Sequence, residues 1–118
     1  MSRPHLTTLD DDGWMIDDGE VANAATPETF WIPDLELRQS LQLGDYAKIR
    51  FYIRVEDEDG EIEDCGERMW VKVAGRIDGW YRGELANQPN ATPEIEPGLE
   101  VWFQPRHVID IDRAVTSD

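Results

Sequence analysis

A chain of 118 residues has room for one domain and a working core, and it holds no apolar run near the roughly 20 residues that span a bilayer, which argues against a helical membrane span. Its net charge of −15, from 26 acids against 11 Lys and Arg, repels nucleic acid and anionic lipid; that leaves acidity kept for solubility or acidity that attracts a basic partner. Cys65 is the single cysteine and has no disulfide partner, and Met1-Ser2-Arg3-Pro4-His5 lacks the apolar core of a signal peptide, so a cytoplasmic location is expected.

Residues 1–28 read as an acidic, weakly structured N-terminal extension. Seven acids fall between Asp10 and Glu28, with no Lys or Arg between Arg3 and Arg38. Trp14-Met15-Ile16 interrupts them and is expected to dock as a short edge strand; a solvent-exposed ligand motif is the alternative. Residues 29–113 read as a single β domain with a leading helix, and 114–118 as a tail. Pro33 suits the first turn of a helix, Leu35, Leu37, Leu41 and Leu43 follow, and Gly44 is a stop. These signals predict a short helix over about residues 33–41, with Phe30 and Trp31 packed beside it.

From Tyr46 to Val55 the sequence alternates cleanly. Ala47, Ile49, Phe51, Ile53 and Val55 share one face of a strand, and Lys48, Arg50, Tyr52 and Arg54 the other. Residues 56–67, with eight acids, read as a loop. A second strand over 68–77 points Met69, Val71 and Val73 inward and turns at Asp78-Gly79, a strong hairpin signal, into a third over 80–86. A proline-bearing loop from Asn87 to Pro97 leads to a fourth strand, Leu99–Gln104. Pro105-Arg106-His107 makes a tight corner of 3₁₀ type, and Val108–Asp112 is the fifth strand. This pattern predicts a mainly β fold, a small SH3-like five-stranded antiparallel barrel with a short N-terminal helix. An open antiparallel meander with one helix packed on it is the alternative.

The order Gly44-Asp45-x-x-Lys48-x-x-Phe51, Gly66-Glu67-Arg68-Met69-Trp70-Val71-x-Val73, Gly83-x-Leu85-x-Asn87-x-Pro89, Gly98-x-x-Val101-x-Phe103 and His107-Val108-Ile109-Asp110 resembles the bacterial DUF2314 family. Phe30-Trp31-Ile32-Pro33 also looks like the segment before this domain in some members, so the resemblance covers roughly residues 28–112. It implies no established activity. Some members resemble parts of toxin–immunity systems, which points toward an inhibitor or immunity-type protein.

Catalytic and metal chemistry find little support. An EF-hand reading with Gly60 at position 6 puts Val55 at position 1 and Gly66 at 12; with Gly13 at position 6, Thr8 and Gly19 fill those places, and both frames fail. His5, His107 and Cys65 are not at metal-ligand spacing, and His107 reads as a satisfied polar side chain at a turn. Cys65 lies among carboxylates that oppose its thiolate, and no serine has a nucleophile-elbow context. No phosphate loop is present, and no cofactor is expected. The outward stripe of Lys48, Arg50 and Arg54 reads as neutralising neighbouring acids.

The candidate binding residues are therefore the tryptophans and the acidic loop. Trp70 and Trp102 alternate away from the core, and with Trp80 and Asn87 they are candidates for an aromatic peptide groove; Asn87 reads first as an Asx-type brace of its own loop. Glu58, Asp59, Glu61, Glu63 and Asp64 are candidates for contact with a basic protein. The leading expectation is a non-enzymatic acidic binding protein. The alternatives are a peptide-binding or regulatory SH3-like module using an exposed Trp face and, with least support, a hydrolase built on two carboxylates.

Overall fold

A computed structural model describes residues 3–113, and the alternating stretch after Asp45 organises it. In chain order the elements are α1 (Leu9–Asp12), β1 (Trp14–Ile16), α2 (Gly19–Ala25), α3 (Leu35–Arg38), β2 (Tyr46–Glu56), β3 (Ile62–Ile77), β4 (Trp80–Leu85), β5 (Glu100–Phe103), a 3₁₀ turn (Pro105–His107) and β6 (Asp110–Asp112). No helix among the described residues is long and apolar enough to cross a membrane.

β1 to β5 are antiparallel neighbours in sequence order. After β5 the 3₁₀ turn carries the chain back, so that β6 pairs with the start of β2, Tyr46 against Asp112 and Lys48 against Asp110. β1 pairs further along the same edge of β2, Trp14 against Ile53 and Ile16 against Phe51. The sheet therefore curls into a half-barrel, the barrel-like β architecture expected of this strand pattern. Ladders do not join β5 to β1 or β6 among the described residues, and the 3₁₀ turn bridges that gap.

Alternation sets the core. Ala47, Ile49, Phe51 and Ile53 of β2 meet Met69, Val71 and Val73 of β3, Tyr81 and Leu85 of β4, and Val101 and Phe103 of β5, all buried. Tyr81 and Phe103 stack with ring centroids 5.1 Å apart, and Trp14 closes over Phe51 at 5.7 Å. Gly83 is needed for close packing: a Cβ there would lie 2.3 Å from Val71 Cγ1 and 3.0 Å from Phe103 Cε1.

Three expectations need correction. Residues 56–67 are not a loop, because β3 begins at Ile62 and pairs back along β2 from Glu56↔Ile62 to Phe51↔Glu67. The turn is confined to 57–61, where the Asp57 carboxylate accepts from the Asp59 and Glu61 amides and Gly60 adopts φ +81°. Carboxylates are tolerated in these strands because both faces of the outer hairpin are solvated. The helix over 33–41 shrinks to the single turn of α3. Leu35, Leu37 and Leu43 are exposed, Leu41 alone of the four is buried, and the buried residue of the turn is Arg38. The 35, 37, 41, 43 spacing does not hold one helical face.

The segment read as weakly structured contains α1, β1 and α2. Thr8 Oγ1 accepts from Asp11 N, and Asp18 Oδ1 accepts from the Glu20 and Val21 amides, so both short helices are capped. Its acids serve as caps and ion-pair partners, which composition does not reveal. Trp14-Met15-Ile16 is the edge strand expected of it. The 114–118 tail lies outside the described residues.

Candidate binding site

The hairpin joining β2 and β3 ends in the acidic 57–61 turn. Glu58, Asp59, Glu61 and Glu63 are exposed and meet no cation among the described residues, whereas Asp64 Oδ1 accepts from Arg54 Nε at 3.0 Å. Arg54 Nη1 also reaches Asp10 Oδ1 at 3.0 Å, joining α1 to the base of the hairpin.

Glu67 plays another part. Its two carboxylate oxygens accept from Asn90 N and Ala91 N, each at 2.8 Å, and so hold the 87–97 loop against β3. Gln88 Nε2 donates to Ile95 O at 2.8 Å and to Thr92 O at 3.2 Å, which folds that loop onto itself. Between loop and hairpin lies an open groove of about 600 Å³, lined by Arg54, Val55, Glu56, Ile62, Pro93 and Glu94 among others. Ile62 is 65% exposed, an apolar side chain standing between Glu61 and Glu63.

The tryptophans do not share one surface. Trp70 is half-buried on the outer face, with Lys48 Nζ 5.0 Å from its ring centroid. Its backbone N–H donates to Asn87 Oδ1 at 2.6 Å, and Ala86 N donates to Trp70 O at 2.9 Å. Asn87 therefore extends the β3–β4 ladder one step beyond Leu85, which is a long-range brace in place of an Asx turn. Trp80 lies at the other end of that ladder, opposite Ile77, roughly 23 Å along β3 from Trp70 at ~3.3 Å per residue. It lines a separate cleft with Gln39, Arg76 and Pro105. Trp102 does point away from the core cluster, but it is covered, 8% exposed, with Nε1 donating to Glu100 Oε1 at 2.9 Å.

Several polar side chains with structural duties escape sequence reasoning. Arg38 is buried; its Nε donates to Pro33 O at 2.7 Å, and its Nη1 to Pro105 O at 3.0 Å and Glu20 Oε2 at 2.6 Å. Tyr81 Oη donates to Arg38 O at 2.7 Å and accepts from Leu41 N at 3.2 Å. Neither duty has a sequence signature, since each joins residues at least 40 apart in the chain or uses carbonyls that any residue offers. Phe30 is a different case. Its Phe-Trp-Ile-Pro context marks it, but the partners of its ring, Arg50 and Arg68, emerge only from the fold.

His107 is buried, as a satisfied turn residue, and its Nδ1 accepts from Gln104 N at 2.9 Å. Burial, helped by neighbouring Arg106, pushes its pKa from 6.5 down to about 4, so the ring is neutral near pH 7. Asp18 is pushed up by burial, but the Val21 amide, the Arg106 guanidinium and the Glu20 amide outweigh that and hold it below the ordinary carboxylate range. Among the described residues no three His, Cys, Asp or Glu side chains group to hold a metal ion.

Set against family models, curated proteins and solved structures, the chain finds no match.

Proposed function

We propose that this chain is a non-enzymatic cytoplasmic binding module that captures a basic segment of another protein in the groove between the β2–β3 hairpin and the 87–97 loop. It would act as the inhibitor or immunity-type protein that the DUF2314-like residue order implies. One observation carries the reading: an exposed apolar side chain, Ile62, sits between Glu61 and Glu63 in a groove lined by Glu56 and Glu94, and the cation that also lines it, Arg54, is already held by Asp10 and Asp64. A Lys or Arg with an apolar neighbour complements that arrangement. The long-range field of a −15 chain would raise the encounter rate.

The alternative of a single Trp face draws less support, because Trp70 and Trp80 stand at opposite ends of a ladder and Trp102 is covered. A hydrolase using two carboxylates would need one carboxyl kept protonated by an apolar pocket, and the hairpin acids stand in solvent instead.

The test uses a short amidated peptide of alternating Lys and Leu. Wild type should bind it with an affinity that falls steeply from low to high salt. The quadruple variant Glu58→Gln/Asp59→Asn/Glu61→Gln/Glu63→Gln should lose roughly tenfold at low salt, since four exposed charge contacts contribute about 0.3–0.5 kcal/mol each. Ile62→Ser should weaken binding without altering its salt slope. Salt-insensitive binding that the quadruple variant keeps would refute the reading.

A further inference from the structure

On the outer face of β2 and β3, away from the acidic turn, the chain carries an arrangement of the opposite sign. Arg50 and Arg68 are directly opposed across the two strands, a juxtaposition that costs stability when uncompensated. The Phe30 ring lies beside both, with guanidinium carbons 4.9 Å and 5.4 Å from its centroid. Arg50 is neutralised by Asp17, whose Oδ2 accepts from Arg50 Nε at 2.8 Å. Arg68 and Lys48 make no ion pair with any carboxylate among the described residues. Lys48 and Arg68 are thus two adjacent cations that meet aromatic rings in place of carboxylates. Asp110 stands opposite Lys48 in register, but its Oδ1 accepts from Ile111 N at 2.9 Å, and Lys48 turns to Trp70.

Lys48 and Arg68 open into a cleft of about 260 Å³ shared with Phe30, Trp31, Ile109 and Asp110. Trp31 forms its far wall and is 68% exposed. Beyond Trp31 a second cleft of about 190 Å³ is lined by Pro33, Leu37, Ile111, Arg113 and Asp110, which also borders the first cleft. The two clefts thus flank one exposed tryptophan, cationic on one side and mainly apolar on the other. Trp and Arg are the side chains most often found at the energetic centre of a protein interface.

We propose that this face is a second binding site, distinct from the acidic groove, that takes an extended acidic peptide segment of a partner protein. A Glu or Asp carboxylate seats between Lys48 and Arg68, where the guanidinium offers a two-point contact. The backbone crosses Trp31. An apolar side chain just after the carboxylate enters the cleft formed by Pro33, Leu37 and Ile111. Cation–π contacts to Trp70 and Phe30 hold the two cations in place before binding, which lowers the ordering cost.

The probe is an acetylated, amidated peptide Gly-Glu-Glu-Leu-Leu-Gly, titrated into the full chain and followed by amide shifts and Trp fluorescence. The expected result is saturable binding with shifts centred on residues 29–33, Lys48, Arg68 and 109–111. The double variant Lys48→Gln/Arg68→Gln, checked for an unchanged fold, should weaken binding roughly three- to fivefold, the loss of one half-buried and one exposed charge contact. Trp31→Ala, at an exposed position, should weaken it as well. The peptide with Gln in place of Glu should lose the same factor. The quadruple hairpin variant should bind the acidic peptide as wild type does, which separates failure here from failure of the basic-segment reading. Three results would overturn the proposal: no saturation at millimolar peptide, equal binding of the Gln peptide, or full displacement by inorganic phosphate with no shifts beyond Trp31, which would mark a site for simple anions.

Discussion

From Ala47 to Phe103 the interior is built by apolar side chains facing inward at every second residue of the strands, whose ladders are backbone to backbone save at the end held by Asn87 and at the Arg82–Ala74 contact. Residues 9–45 pack onto the same core differently. They contribute Trp14, Ile16 and Leu41 to it and otherwise hold on through polar groups: the Asp18 cap, Arg38 on the carbonyls of Pro33 and Pro105, and Leu41 N on Tyr81 Oη. The first region depends on area and shape, which change little with pH. The second depends on donors and acceptors meeting within hydrogen-bond distance, so losing one partner leaves another unsatisfied. The difference gives the protein a rigid sheet and a wrap whose attachment is local and titratable.

The sharpest way to break the comparison is in the sheet. Ile49→Ala, at a fully buried position, should lower unfolding free energy by about 3–4 kcal/mol, and Val71→Ala by about 2. Urea unfolding at neutral pH measures both. Values below roughly 1 kcal/mol at the two sites would mean that the inward face of the sheet is not the source of its stability.

A second measurement sharpens the contrast through pH. His107 sits in the turn between β5 and β6, beneath the wrap, and titrates at about 4 in the folded chain against 6.5 unfolded. The unfolded chain therefore binds the extra proton first. The stabilisation, roughly 3 kcal/mol, is fully present above pH 6.5 and is lost as pH falls from 6.5 toward 4. Asp18, lowered in the folded chain, adds a further loss only as pH falls below its ordinary 3.8. Denaturant midpoints that stay level from pH 7 to pH 5 would contradict this.

Tyr81→Phe should cost less, about 1–2 kcal/mol. The stacking on Phe103 survives, while Leu41 N and Arg38 O lose their shared partner. Amide exchange should quicken in residues 38–41 and stay unchanged in β3. Faster exchange spread evenly over the sheet would show that wrap and sheet are one cooperative unit.

The same division decides what the sequence could reveal. The strand faces were legible because period two survives every local detail, as Ala47 to Val55 shows. Asp78-Gly79 was legible because positive φ at both residues, +46° and +81°, favours that pair. The hairpin is hidden in the sequence because eight acids outweigh the strand signal of Ile62 and Cys65, although only 57–61 turns. The helix is shorter than the leucines suggest because only Leu41 of the four is buried, and the turn buries Arg38 in their place. The candidate sites divide likewise. The acids of the hairpin turn are exposed, whereas strand parity, which turns Trp70 and Trp102 outward, says nothing about distance along a ladder and so does not bring Trp80 to the same surface.

The smallest expected effect tests the seam between the two kinds of stabilisation. Beyond Leu85 the β3–β4 ladder continues through one backbone bond, Ala86 N to Trp70 O, and then through Asn87 Oδ1, which receives Trp70 N where a strand carbonyl would stand. Asn87→Ala removes that acceptor from a partly buried amide and should cost about 1 kcal/mol, lowering Tm by about 3–6 °C. Asn87→Asp keeps an oxygen at the same place and should recover most of the loss. Trp70 is anchored by this bond beside Lys48, so Asn87→Ala should also loosen the Lys48–Trp70 contact and weaken the acidic peptide by a smaller factor than Lys48→Gln. If Asn87→Ala and Asn87→Asp are equally destabilised, the oxygen is not what holds the end of β3, and packing of the 87–97 loop on Glu67 takes that role instead.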